Sequence, residues 1–314
     1  LVGITLLGFG ADVLVRGAVT IAKVARIPAA VIGLTIVSMG TSLPELTVSL
    51  SAALRGASDL GVGNAVGSNI FNIGVVLGLT ALLAPMRVHS SAVRLEWPFM
   101  FISSFQLLLL ARDGMLDRLE GLFFVVGLGL FTAYVVRIGR SELGAEERAD
   151  LRETVERRDA PEEMQSVGKA LVLVAAGVAL LVIGGDVLLR GAIDLARLAG
   201  MTERVIGLTI IAAGTGAPEA ATSLMAARRG QGEIALGNVI GSNIFNILGI
   251  LGITALVSPL AVSDAMIHSD FVWMLGLSFI LFPFMQSGSR IARMEGGVLL
   301  AAYGTYLTLL VLNG

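Results

Sequence analysis

Apolar residues along this chain run in long unbroken stretches rather than in alternation. Ten such runs lie near 1–22, 30–54, 61–84, 93–111, 119–138, 167–189, 205–227, 233–257, 267–287 and 293–313. A bilayer core about 30 Å thick is crossed by about 20 apolar residues in a helix, and the runs are close to or above that length. Barrel strands would instead show alternating segments of about 10 residues. The pattern predicts transmembrane helices. No charged segment precedes the first run and no small-residue cleavage site follows it, so that run is expected to be a span and not a signal peptide.

Composition narrows the class. The 314 residues are 55% hydrophobic and 15% charged, with a mean hydropathy of +0.85, whereas a soluble domain is about 25% charged. Lys and Arg number 22 and Asp and Glu 24, and 14 of these charges fall between Arg140 and Glu163. With no Cys and a net charge of −2, a disulfide scaffold and a nucleic-acid binder are both excluded, since the latter needs a basic face. What remains is a polytopic all-α membrane protein with one charged loop and the lipid bilayer as its partner.

The chain also repeats itself. At a constant offset of 174 residues, Asp12-Val-Leu-Val-Arg16-Gly17-Ala18 matches Asp186-Val-Leu-Leu-Arg190-Gly191-Ala192, and Gly33–Ile36 matches Gly207–Ile210. Gly40-Thr-Ser-Leu-Pro-Glu45 matches Gly214-Thr-Gly-Ala-Pro-Glu219, and Gly63–Ile73 matches Gly237–Ile247. Five spans per half is an odd number, so the second half enters from the opposite side. The expected architecture is ten transmembrane helices as two inverted five-helix repeats, 1–138 and 167–314, joined by the charged loop 139–166. Inverted repeats are common in secondary transporters, whose sites lie near the midplane between the halves.

Lys and Arg at the span ends set the orientation. Fifteen gather on one side (Lys23, Arg26, Arg87, Arg94, the run Arg137 to Lys169, Arg228, Arg229, Arg290 and Arg293). Five lie on the other (Arg55, Arg112, Arg118, Arg197 and Arg204). The excess places the 139–166 loop in the cytoplasm, both termini outside, and the protein in the inner (cytoplasmic) membrane.

Two carboxylates break the apolar pattern. Glu45 and Glu219 sit deep inside the second and seventh runs, where a charge costs a few kcal/mol or more and usually marks an ion path. Pro44 and Pro218 precede them; lacking an N–H, each should release the carbonyl four residues back, on Gly40 and Gly214. Thr41 with Glu45, Thr215 with Glu219, Ser68 with Asn72, and Ser242 with Asn246 are spaced four apart and share helical faces. These groups offer only oxygen. Hard cations such as Ca2+ take six to eight oxygens, whereas softer metals ask for His or thiolate.

Other polar residues read as structural or stay open. Asp12–Arg16 and Asp186–Arg190 have the spacing of self-neutralising pairs. Asn64, Asn69, Asn238 and Asn243 could cross-bond helices or touch an ion. Glu96 and Asp270 look like span-end residues beside Trp97 and Trp273, and His89 and His268 are given no role. Gly63, Gly67, Gly237 and Gly241 have a spacing that lets helices approach closely.

The segments Gly40–Ile73 and Gly214–Ile247 resemble the paired repeats of the sodium/calcium exchanger, or cation/calcium antiporter, family, and the chain as a whole resembles a prokaryotic member. The resemblance implies a non-enzymatic antiporter without a cofactor, moving Ca2+ against Na+ or, in some branches, H+. It implies ion ligands at Thr41, Ser42, Glu45, Ser68 and Asn72, with Thr215, Glu219, Ser242 and Asn246 opposite and backbone carbonyls at Ser38 and Ala212. It further implies that the first and sixth helices slide across a fixed core. Two departures bear on the counter-ion. Gly216 stands where Ser42 has a hydroxyl, which weakens a small-cation site more than a Ca2+ site. Asn246 stands where some members carry Asp, which removes an ionisable group and favours Na+ over H+. A Ca2+/H+ antiporter is the alternative on this fold, and a cation channel or Ca2+ sensor the alternative outside it.

Overall fold

A computed structural model describes residues 1–25, 27–142, 160–198 and 212–313, and these are almost entirely helical. The helices are α1 (Val2–Ala25), α2 (Ala29–Thr41), α3 (Leu43–Leu54), α4 (Ser58–Leu83), α5 (Ala92–Asp113) and α6 (Arg118–Glu142). They are followed by α7 (Ala160–Leu198), α8 (Ala212–Thr215), α9 (Ala217–Arg228), α10 (Gly232–Val257), α11 (Met266–Ser289) and α12 (Arg293–Asn313). Among the described residues, seven helices are long and apolar enough to cross a membrane, and the bent pair α2–α3 makes an eighth. Two of the expected ten spans are not among these eight: the seventh run begins among residues outside the description, and α12 (Arg293–Asn313) is not one of the seven. Most of the charged linker also lies outside it, as do Arg26, Arg204 and the repeat segment Gly207–Ile210. Helix α6 runs on to Glu142 and α7 starts at Ala160, so helical structure reaches into the 139–166 segment from both sides.

Burial sorts the helices into an inner and an outer set. In α10, 89% of the most apolar window is buried, against 22% in α6 and α7. The inner helices α4 and α10 carry the two Gly-Asn-rich motifs. The outer ones present Leu119, Leu130, Val172 and Phe279 outward, as lipid-facing surfaces do. Since lipid tails are as apolar as Leu, helix association in a bilayer depends on close packing and polar contacts more than on hydrophobic burial. Glycine supplies the close packing. A Cβ on Gly237 would come within 2.6 Å of the Ala30 carbonyl, and one on Gly241 within 2.4 Å of the Leu34 carbonyl, so α10 seats α2 backbone to backbone. Gly63 and Gly67 have no comparably close neighbour among the described residues.

The tightest seam joins α1 and α7. Gly3 abuts Leu188, Gly10 abuts Leu181 and Gly17 abuts Val174, while Gly177 and Gly184 abut Leu14 and Leu7 in return. Rising numbers on one helix meet falling numbers on the other, so this pair is antiparallel. Two short antiparallel ribbons tie the halves at the span ends: Met86–Arg87 pairs with Arg290–Ile291, and Met115–Leu116 pairs with Leu260–Ala261. Each ribbon takes one strand from each repeat.

Candidate functional site

The two Pro-containing motifs fold as broken helices. Helix α2 ends at Thr41, Ser42 departs from helical geometry (φ −85°, ψ 10°), and α3 restarts at Leu43 with Pro44 in its first turn. The axes bend by 46°. Gly216 (φ −81°, ψ 3°) interrupts α8 and α9 in the same way, with Pro218 in the first turn of α9. Pro is tolerated in a first turn because the missing N–H has no intrahelical partner there. The break therefore falls two residues before each Pro, and Glu45 and Glu219 occupy first turns of new helices. Carboxylates are favoured there by the exposed N–H groups and the helix dipole.

Both glutamates are 1% exposed, and each lies within electrostatic reach of the other. Ser42 Oγ donates to Glu219 Oε1 at 2.9 Å, reaching from one repeat to the carboxylate of the other. Thr41 Oγ1 lies 3.3 Å from Asn238 Oδ1 and 3.2 Å from the Ser38 carbonyl. That carbonyl also accepts the Ser42 N–H at 3.0 Å, so Ser38 O is engaged within its own helix. Thr215 is buried at the end of α8, whose first residue is Ala212.

The amides follow the same symmetry. Asn72 Nδ2 donates to Asn243 Oδ1 (3.3 Å) and Asn246 Nδ2 to Asn69 Oδ1 (2.9 Å), two repeat-related bonds between α4 and α10. With their N–H groups held, Asn72 and Asn246 have Oδ1 left to point elsewhere. Asn69 and Asn243 are fixed in turn: Asn69 Nδ2 donates to the Asn243 carbonyl and to Met274 Sδ, and Asn243 Nδ2 to Met100 Sδ. A second symmetric set braces the glutamate helices. Asn64 Nδ2 donates to the Glu45 carbonyl and Ser49 Oγ, and Asn238 Nδ2 to the Glu219 carbonyl and Ser223 Oγ. The four asparagines left open by the sequence therefore cross-bond helices. Their equal spacing in the two repeats was visible, but an amide's partner is not.

Several buried oxygens of this arrangement are left without partners. Among the described residues they include Glu45 Oε2, Glu219 Oε2, Ser68 Oγ, Ser242 Oγ, Asn72 Oδ1 and Asn246 Oδ1, three repeat-related pairs. Thr222, Thr254 and Ser278 hold the others. One such atom costs about 1–3 kcal/mol, so six together rival the ~5–15 kcal/mol that keeps a whole domain folded. All six belong to the ligand set expected from the sequence.

The other polar residues resolve separately. Glu96 is buried at the end of a π-helical turn, Ala92–Glu96, and Asp270 closes the matching turn Met266–Asp270, where the Tyr306 hydroxyl donates to its Oδ1 at 3.0 Å. They open their spans as expected, Glu96 buried and Asp270 half-buried. Asp12 pairs with Arg16 at 2.7 Å and also with Arg229, across 217 residues of chain, and Asp186 pairs with Arg190 at 2.9 Å. His89 Nε2 contacts Glu233 Oε1 at 2.5 Å, a contact the sequence did not indicate.

A helical membrane fold with repeat-related carboxylates and amides in its interior defines an ion-transporter class. The model of the family described as "Sodium/calcium exchanger protein" matches residues 1–137 and 169–312. The chain belongs to the sodium/calcium exchanger family, whose members are multi-pass membrane transporters and not enzymes. It is 38% identical to the inner membrane protein YrbG of Escherichia coli, covering 89% of this chain and 85% of that one. It is 34% identical to the sodium/calcium exchanger MaX1 of Methanosarcina acetivorans, covering 99% and 97%. Among solved structures it resembles the sodium-calcium exchanger NCX_Mj soaked with Na+ and Sr2+, with a TM-score of 0.83, 30% identity, and coverage of 98% and 96%.

Proposed function

We propose that the chain exchanges Ca2+ for Na+ across the cytoplasmic membrane by alternating access, with Glu45 and Glu219 jointly holding Ca2+. The observation that carries this reading is the set of six buried, unpartnered oxygens, two of them carboxylate. A divalent cation balances the two charges and takes six to eight oxygens. The full ligand set is Thr41, Ser42, Glu45, Ser68 and Asn72 with Thr215, Glu219, Ser242 and Asn246, supplemented by the carbonyls of Ser38 and Ala212. Na+ ions compete for the same carboxylates, so the two cargoes exclude each other and exchange follows.

The architecture of this reading is ten spans in two inverted repeats, 1–138 and 167–314, with the 139–166 linker cytoplasmic and both termini outside. The antiparallel packing of α1 on α7, which are repeat equivalents, supports the inversion. The same two helices are the pair that slides across the remaining core.

Radiolabelled Ca2+ flux in proteoliposomes tests it. An outward-directed flux driven by an imposed Na+ gradient is expected, and Glu45→Gln or Glu219→Gln lowers it at least about 100-fold, since charge count sets Ca2+ affinity. A flux that follows a pH gradient and ignores Na+ replaces this reading with Ca2+/H+ exchange. Normal transport by either Gln variant refutes the ligand assignment.

A further inference from the structure

The two ends of the oxygen cage are built from repeat-related residues, and they differ at one place. Ser42 brings a hydroxyl to Glu219; its equivalent, Gly216, brings none to Glu45. The space a side chain would occupy at Gly216 is filled by an aromatic ring. A Cβ there would lie 2.6 Å from Cδ1 and 2.7 Å from Cε1 of Phe71, far inside van der Waals contact. Phe71 is buried and held edge-on by Tyr303, with ring centroids 5.9 Å apart at 78°.

Phe245 is the repeat equivalent of Phe71, and its ring lies elsewhere. It folds back along its own helix onto Gly249, where a Cβ would come within 2.6 Å of Cδ2 and Cε2. The position equivalent to Gly249 is Val75, whose branched side chain blocks that rotamer for Phe71. Each repeat thus contains a matched set. With Gly249 the ring lies back and Ser42 is accommodated; with Val75 the ring projects and only Gly216 fits.

Resting on the exchanger reading above, we infer that Phe71, seated on Gly216, is a specificity-determining residue that closes the Glu45 end of the cage to a monovalent ion. The Ser42–Glu219 end keeps the hydroxyl and serves Na+. Ca2+ sits between both carboxylates, tolerates irregular coordination and recruits water, so it loses less from the missing hydroxyl than a small cation does.

The test moves one repeat's solution into the other. Gly216→Ser alone drives its Cβ into the Phe71 ring, and Na+-dependent Ca2+ release falls several-fold. V75G/G216S lets the ring lie back as Phe245 does; release recovers, and the Hill coefficient for Na+ rises above that of the wild type, by at most about one, the limit set by one added site. F71L/G216S removes the ring instead of turning it and reaches the same end if the glycine variant fails to fold, which size-exclusion profile and Ca2+/Ca2+ exchange report. Full activity of Gly216→Ser, recovery without a steeper Na+ dependence, or recovery in neither double variant each overturns the inference. Absence of any Ca2+ flux from the wild type is a different failure, because it removes the exchanger reading itself.

Discussion

At the scale of single residues, the site works by dividing labour among amides of one type. Asn72 and Asn246 keep an unpartnered oxygen while Asn243 and Asn69 occupy their N–H groups. Removing Asn243 therefore harms the site without touching it. In Asn243→Ala, the buried Asn72 Nδ2 loses its acceptor, at a cost of about 1–3 kcal/mol, and the freed amide rotates its oxygen off target. The expected result is a lower melting temperature together with weaker Ca2+ binding. Asn72→Ala, by contrast, weakens Ca2+ binding with the smaller stability loss, because it removes an unpartnered oxygen along with the donor. Binding calorimetry and thermal melts on both variants check the split. The sequence made Glu45 and Glu219 legible because a carboxylate deep in an apolar run is costly anywhere else. It left the asparagines ambiguous because one amide can cap, cross-link or ligate, and only the facing helix decides.

At the scale of elements, the helices that carry the proposed ligands are interrupted and the helix pair beside them is not. The bend at Ser42 ends one helix and starts another with Glu45 in its first turn, and π-helical turns at Asn72–Leu77 and Phe245–Leu251 widen the facing helices beside their amides. Such turns often occur at functional sites. The Pro residues were legible as breakers, although the break falls at Ser42 and Gly216 and not at the prolines themselves. Helices α1 and α7 pack too closely, Gly against backbone, to slide past each other. They can only move together. Besides the packing of Val178 and Leu189 on Gly40 and Gly214, they are tied to their surroundings by the ion pair from Asp12 on α1 to Arg229, just past the C-terminus of α9. The Asp12–Arg16 spacing was legible; a partner 217 residues away was not. Movement of α1 must break this link, so Arg229→Gln is expected to alter the maximal exchange rate, where about 1.4 kcal/mol is tenfold. Apparent Ca2+ affinity stays unchanged because Arg229 lies outside the cage. Stopped-flow flux set beside equilibrium binding separates the two effects. Gly177→Leu places its Cβ 2.6 Å from the Leu14 nitrogen and is expected to destabilise the pair by about 1–3 kcal/mol, as overpacking does, measured as a lowered melting temperature and reduced flux.

At the scale of the whole molecule, the repeat explains why stability and transport oppose each other. Two ribbons and the glycine seams tie one half to the other around the buried oxygens. The amides of the polar centre cross-link the halves, but its unpartnered oxygens cost stability. Taking a carboxylate out of water costs several kcal/mol unless a partner compensates, and here two are buried within electrostatic reach of each other. On the proposed function a bound cation supplies the compensation, which links ion binding to folding. At Ca2+ a hundred times above its dissociation constant the link is worth about 2.7 kcal/mol, and the wild type is expected to melt several degrees higher in detergent with Ca2+ than with a chelator. The double variant E45Q/E219Q removes that link. Its neutral side chains offer Ca2+ no charge to balance, so its melting temperature is expected to be the same with Ca2+ as with the chelator. A double variant that still gains stability from Ca2+ places the ion elsewhere.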